Sequence, residues 1–368
     1  MLTGTVVAIQ ANFYQVRLDV QTVDTIPQLL CTRRTRLKKI GQKVMVGDRV
    51  EIEEPDWNGQ RGAIAAVFPR QTELNRPPIA NANQILLVFA LAEPDLDPYG
   101  LSRFLVTAES TKLDVKLCLN KSDLLTQEAL QQWHQRLTNW GYQPLLISVR
   151  QGLEYGWSEM NPSPPQRLDD PRSALRQQLR DKITVISGPS GVGKSSLINQ
   201  LIPQLHLRVG AVSGKLGRGR HTTRHVELFE LPTGGLLADS PGFNQPMIHC
   251  QPQQLAQYFP EIQQRLATQS CQFNDCLHRD EPHCSVRGDW ERYEHYLAFL
   301  EEAIARQSAL QNQPDAESSL KSKHRSGGKR HYEPKLESKK YRRTSRRVQH
   351  QTLQDFCDEI DEIEPQST

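Results

Sequence analysis

No apolar run in the sequence is long enough to cross a bilayer. The longest, Ile85 to Ala92, is far short of the roughly 20 residues that a membrane-spanning helix needs. The opening residues, MLTGTVVAIQ, have neither the basic head nor the apolar stretch of a secretory signal. The chain is therefore expected in the cytoplasm, with no membrane partner. Cysteine is too sparse and too scattered for a disulfide framework: there are seven in 368 residues, and a cytosolic setting favours thiols or metal ligands. Cys31, Cys118, Cys250 and Cys357 stand apart and receive no role. Net charge is also small, at +3, but it is unevenly spread. Residues 321–347 are crowded with Lys and Arg, whereas 355–364 (DFCDEIDEIE) is acidic. That asymmetry suits either a polyanion-binding arm or a solvated tail.

At 368 residues the chain has room for two or three domains, and 37% hydrophobic with 24% charged residues suits globular domains with polar extensions. Residues 1–72 read as all-β. Thr5–Ile9, Tyr14–Leu18 and Arg49–Ile52 alternate with the period of half-buried strands, punctuated by Gly41, Gly47, Gly59 and Gly62. An OB-fold barrel is the economical assignment. Its basic stretch CTRRTRLKK (31–39) is either a solvated loop or a contact to phosphate backbone. Residues 73–245 form a central α/β domain. The short apolar runs Gln84–Leu91, Val115–Leu119, Pro144–Ser148 and Ile183–Ser187 alternate with the helical stretches Leu101–Thr111, Gln127–Trp140 and Arg172–Arg180. Residues 246–312 are expected to be a small helical domain around a Cys/His cluster. From 313 to 368 few apolar residues remain to offset ordering entropy, so a disordered tail, basic and then acidic, is expected.

Gly188-Pro189-Ser190-Gly191-Val192-Gly193-Lys194-Ser195, followed by Ser196, matches the phosphate-binding pattern G-x-x-x-x-G-K-[ST] between an apparent strand and helix. Its glycines let backbone amides converge on phosphates, Lys194 would reach the β- and γ-phosphates, and Ser195 would ligate Mg²⁺. Without that context the stretch would be an ordinary Gly-rich turn. Asn120-Lys121-Ser122-Asp123 lies about seventy residues earlier, after another apparent strand. A carboxylate there can accept from guanine N1–H and N2–H₂, donors that adenine lacks in this geometry. The bland alternative is a helix N-cap. Ser148, after a further strand, is a candidate for an additional base contact. Because the guanine-reading motif precedes the phosphate loop, the natural inference is a circularly permuted GTP-binding fold.

Asp239-Ser240-Pro241-Gly242 closes another apolar run. Asp239 would help hold Mg²⁺ and the Gly242 amide would sense the γ-phosphate, unless the four residues form only a tight turn. Phe243 follows, where many GTPases carry a glutamine that orients water, so a polar group must come from elsewhere. His221, within Gly217-Arg218-Gly219-Arg220-His221-Thr222-Thr223-Arg224, is the internal candidate for the catalytic role, with Thr222 or Thr223 as the switch hydroxyl. Arg218, Arg220 and Arg224 equally suit RNA phosphates. Finally, Cys271-x4-Cys276-x-His278-x5-Cys284 offers three thiolates and an imidazole, a closed tetrahedral donor set for one structural Zn²⁺, with His283 as a spare ligand.

This order of motifs (NKSD, GPSGVGKSS, GRGRHTTR, DSPGF, then the Cys/His cluster) closely resembles the ribosome small subunit-dependent GTPase A family over residues 1–312. The resemblance implies an OB-fold, a circularly permuted GTPase domain and a C-terminal zinc domain. It also implies a GTPase acting late in small-subunit maturation, whose weak intrinsic hydrolysis is stimulated by the subunit and its rRNA. Guanine recognition carries over to Asn120, Lys121 and Asp123, phosphate binding to Gly188 through Ser196, the zinc ligands to Cys271, Cys276, His278 and Cys284, and the catalytic histidine to His221. A monomer that exchanges GTP and GDP is expected. The rival readings are an RNA-binding scaffold in which nucleotide is structural, and an ATP-using P-loop enzyme with an accidental NKSD. The resemblance says nothing about 313–368.

Overall fold

The computed structural model describes residues 2–19, 28–155, 166–168, 170, 172–205, 226–239, 246–311, 320–324 and 330–334. Five strands, β1 (Leu2–Gln10), β2 (Phe13–Leu18), β3 (Gln28–Arg33), β4 (Arg49–Asp56) and β5 (Arg61–Val67), close a barrel in the order β1-β2-β3-β5-β4. Strands β3 and β5 run parallel, β4 returns antiparallel to β1, and a short helix α1 (Thr35–Lys39) joins β3 to β4. This is the expected OB-fold. Alternation sends Tyr14, Val16 and Leu18 of β2 inward against Leu29, Val50, Ile52 and Ile64. A two-stranded ribbon, β6 (Glu73–Asn75) with β7 (Pro78–Ala80), follows. It is joined to the barrel by a bridge between Val46 and Ile79 and by Arg70, which pairs with fully buried Asp48 at 2.8 Å.

The central sheet is built from β8 (Gln84–Ala90), β9 (Asp114–Asn120), β10 (Leu145–Ser148), β11 (Leu153–Tyr155), β12 (Gln166–Arg167), β13 (Ile183–Ser187), β14 (Leu228–Glu230) and β15 (Leu236–Asp239). Its order is β12-β11-β10-β9-β8-β13-β15-β14. The five strands from β10 to β15 in that order are mutually parallel. All of β8 is buried, as a parallel strand covered on both faces requires. Ile85, Leu87 and Phe89 meet helices α2 (Pro98–Glu109) and α3 (Gln127–Asn139) on one face. Leu86, Val88 and Ala90 meet α4 (Ala174–Leu179) and α5 (Lys194–Leu201) on the other. The helices begin where side chains cap them: Asp97 accepts from Tyr99 and Gly100 amides, Thr126 from Ala129 and Ser173 from Arg176.

From β8 the chain steps outward to β9 and β10, then returns to the other side of β8 at β13. That reversal opens a crevice beyond the carboxyl ends of β8 and β13, where open α/β sheets bind ligands.

The C-terminal helices α6 (Pro252–Leu255), α7 (Pro260–Thr268) and α8 (Tyr293–Gln311) bury Phe259, Ile262, Tyr296, Phe299 and Leu300 together with Val106 of α2. Arg103 of α2 grips Glu302 of α8 through two hydrogen bonds of 3.1 and 2.6 Å. Deeper in the same seam Arg292 is fully buried. Its guanidinium lies 4.6 Å from the Phe259 ring centroid and 4.9 Å from that of Trp140, with Glu261 Oε1 2.9 Å away as an ion pair lacking hydrogen-bond alignment. Burial pushes the Glu261 carboxyl up, opposed by the Arg292 charge.

Residues Ser308–Thr368 form a separate unit. Among its described residues, β16 (Leu320–His324) pairs with β17 (Arg330–Pro334) in an antiparallel ladder.

Replacing Arg292 alone by Met should cost about 3–5 kcal/mol, because Glu261 is left buried and unpaired. Replacing both by Met should recover most of that loss. Urea unfolding of the two single variants and the double variant measures the difference.

Candidate nucleotide and metal sites

The phosphate loop leaves β13 at the switch point, and its glycines are fixed by space as well as dihedral angle. A Cβ on Gly188, at φ +142°, would stand 2.0 Å from the Val88 carbonyl oxygen. One on Gly193, at φ +97°, would stand 2.3 Å from Asn120 Nδ2. Gly193 also caps α5 without any side-chain hydrogen bond, so the first-turn amides are left facing the loop, as an anion would require. Lys194 is buried and its Nζ donates to the carbonyls of Gly188, at 2.8 Å, and Pro189, at 2.5 Å. Its charge is thereby held over the loop.

Asn120 ends β9 and is buried. Its Nδ2 donates to the Val192 carbonyl at 2.8 Å, while its Oδ1 accepts from the Val149 amide at 3.1 Å. One carboxamide therefore joins the guanine-reading motif, the phosphate loop and the segment after β10. Lys121, in the left-handed region at φ +62°, donates from Nζ to the Glu93 carbonyl. Asp123 Oδ1 accepts from the Ser148 hydroxyl at 2.5 Å, and that hydroxyl accepts from the Gln151 amide at 3.2 Å. Ser148 is fully buried and holds Asp123 through this hydrogen bond. Ser122 is likewise buried and outside the pocket lining.

The pocket between these segments measures about 380 Å³ and is lined by Asn120, Lys121 and Asp123 from one motif and by Gly193 and Ser196 from the other. Glu93, Leu124, Val149 and Arg150 complete it. The sequence reading missed these four, although Glu93 and Val149–Arg150 lie just beyond strands β8 and β10, where a parallel sheet places its ligands. Ser195 sits half-buried in the first turn of α5. The Asp239 backbone is in register with Ile186 of β13, at the same end of the sheet. His221, Thr222, Thr223 and Gly242, with the segments that carry them, lie outside the described residues.

Cys271, Cys276, His278 and Cys284 converge so that their ligand atoms all lie within 4.8 Å of one another. Cys271 and Cys284 Sγ are 3.9 Å apart, and each is 3.5 Å from His278 Nδ1. A tetrahedral Zn²⁺ with bonds of about 2.3 Å to sulfur and about 2.0 Å to nitrogen sets edges of roughly 3.8 and 3.5 Å, so the donor set fits that ion. Burial pushes the His278 imidazole below its usual value, which favours the neutral, ligating form. The loop is held from outside as well: Tyr293 OH donates to the His278 carbonyl, Tyr296 OH to that of Leu277, and Glu281 accepts from the Leu277, Arg279 and Asp280 amides. His283 is exposed and outside the cluster.

The RsgA GTPase family profile matches residues 67–162 and 165–249. A "Small ribosomal subunit biogenesis GTPase RsgA" of Trichormus variabilis is 63% identical, with 97% of each chain covered, and one of Microcystis aeruginosa is 58% identical, with 98% of each covered. Among solved structures, YjeQ from Thermotoga maritima aligns with a TM-score of 0.66 at 30% identity, covering 83% of this chain and 99% of its own. YloQ, described as a circularly permuted GTPase, aligns with a TM-score of 0.64 at 29% identity, covering 83% of this chain and 96% of its own.

Removing the Ser148 hydroxyl (Ser148→Ala) should free the Asp123 carboxylate and weaken binding of a fluorescent GDP about tenfold, roughly one charge-assisted hydrogen bond. Chelation should extract one metal ion per chain and lower the melting temperature, and Cys284→Ser should bind less than the full complement. Elemental analysis beside a thermal melt reads both effects.

Proposed function

The chain belongs to the RsgA GTPase family, and from that membership we propose that it hydrolyses GTP on the small ribosomal subunit late in the subunit's maturation, with nucleotide state controlling association and release. The observation that carries this reading is the pocket lined jointly by the NKSD and phosphate-loop motifs. Asp123, steadied by Ser148, accepts from guanine N1–H and N2–H₂. Adenine would leave that carboxylate unpaired, which supports a preference for GTP over ATP. The amides from Gly188 to Ser196, with Pro189, Ser190, Gly191 and Val192 between the two constrained glycines, cradle the phosphates. Lys194 exchanges its loop carbonyls for β- and γ-phosphate oxygens.

Ser195, Asp239 and Thr222 or Thr223 would hold Mg²⁺, which neutralises phosphate charge when bound. His221 orients the water whose oxygen attacks the γ-phosphorus, while the Gly242 amide contacts that phosphoryl group. The bond to the β,γ-bridging oxygen breaks, and the products are GDP and phosphate. Phe243 cannot take the orienting role, so His221 needs a partner to bring it into place, and the subunit's rRNA supplies that partner. The barrel up to residue 72, with its basic 31–39 stretch, and the domain of residues 246–312, with one Zn²⁺ at Cys271, Cys276, His278 and Cys284, serve as the two RNA-docking modules around the GTPase domain of residues 73–245. The protein acts in the cytoplasm as a monomer.

Phosphate release from GTP, measured with and without small ribosomal subunits and with ATP as control, tests the reading. Subunits should accelerate hydrolysis of GTP alone. Bound GTP without any stimulation would favour the RNA-binding scaffold. His221→Ala should retain GTP affinity and lose about 10²-fold in stimulated turnover, and full retention of that turnover would remove His221 from the site.

A further inference from the structure

The barrel is joined to the sheet at its edge strand β14, which β15 separates from β13 and the phosphate loop. In β1, Val6 pairs with Val16 and Ala8 with Gln15, so Val7 is the extra residue of a β-bulge. The bulge re-aims one side chain: Val6 packs inside the barrel, whereas Val7 packs with Val226, Leu228 and Leu236 in the core of the sheet. Ala8 then forms an antiparallel bridge to Glu227, covering the outer edge of β14. From β2, Arg17 Nη1 donates to Glu230 Oε1 at 3.0 Å.

β14 in turn pairs with β15 through Leu228↔Ala238, Phe229↔Leu237 and Glu230↔Leu236. Asp239 is the next residue of β15, in register with Ile186, two residues before Gly188. Glu230 is in register with Leu236 and, through it, with Ile183, so the ladder of β14, β15 and β13 runs from the Arg17 contact along to Asp239 and the phosphate loop. The Arg17 and Glu230 side chains retain 22% and 33% of their exposure, which is too much for the pair to matter greatly as a static source of stability. What it can set is position, since β14 is a three-residue edge strand held on its outer side only by these contacts among the described residues.

We propose that Arg17 and Glu230 are a positioning pair through which the barrel, once docked on RNA, fixes the β14–β15 edge and so the Asp239 end of the nucleotide site. The proposal rests on the subunit-stimulated hydrolysis put forward above and names the route by which one docking module reaches the reacting end. The coupling is mechanical. Neither side chain touches nucleotide.

Charge exchange tests it in the full-length protein. Arg17→Glu and Glu230→Arg should each keep GDP affinity and unstimulated turnover, and each should lose about tenfold in turnover at saturating subunit, within the range usual for coupled sites. The double exchange, and Arg17→Lys alone, should recover most of that loss, which guards against a variant that merely folds poorly. Stimulation retained by both single variants overturns the proposal. Loss in Arg17→Glu alone, unrescued by the exchange, also overturns it and makes Arg17 a direct RNA contact. A wild-type protein that subunits fail to stimulate overturns the functional reading itself, an outcome visible before any variant is made.

Discussion

Asn120 Nδ2 donates to the Val192 carbonyl while its Oδ1 accepts from the Val149 amide, and the nucleotide pocket depends on this buried carboxamide. It brings together segments 72 and 29 positions away in sequence. Deleting it would leave the buried Val192 carbonyl without its partner, at a cost on the order of 1–3 kcal/mol, and would also free the half-buried Val149 amide. Gly193 is confined by the same group, since any Cβ there would collide with Asn120 Nδ2. The two motifs leave different strands, and this side-chain tie holds the strand ends together.

The modules around the pocket grip different parts of it. The domain of the Cys/His cluster packs on α2 and on the end of α3, the helices before and after the Asn120–Asp123 motif, through Arg103–Glu302, a Ser102–His295 contact of 2.9 Å, and Trp140 Nε1 donating to Glu291 at 2.8 Å. At the centre of that seam, Arg292 is desolvated among Trp140, Tyr142 and Phe259. Such a buried charge adds little net stability, but it is unforgiving of any arrangement that separates it from Glu261. The barrel grips the sheet at its β14 edge, which β15 separates from the strand leading into the phosphate loop.

Much of this was legible in the sequence because it is local. The apolar run of β8, the start of α3 at Gln127 and the whole of β13 fall where hydrophobic pattern and caps put them. The cluster of Cys271, Cys276, His278 and Cys284 was readable because ligand chemistry restricts which residues can take part. What escaped is non-local or belongs to the backbone. Thr5–Ile9 alternates like any strand, and nothing in it announces that Val7 leaves the barrel for another core. No local pattern marks Arg292 for burial among Trp140, Tyr142 and Phe259, and the Arg17–Glu230 pair spans 213 positions. The Glu93 carbonyl that receives Lys121 carries no side-chain signature at all. The hydrogen bond from Ser148 to Asp123 likewise joins residues 25 positions apart.

The central claim is that two motifs in inverted order build one guanine-selective site. Calorimetric titration of the purified protein with GDP and then with ADP tests it most directly. The account predicts one GDP site per chain and ADP binding at least about 10²-fold weaker, because adenine leaves the Asp123 carboxylate unpaired. Equal affinities for the two nucleotides would contradict it, by separating the phosphate loop from the base reader that Asn120 ties to it.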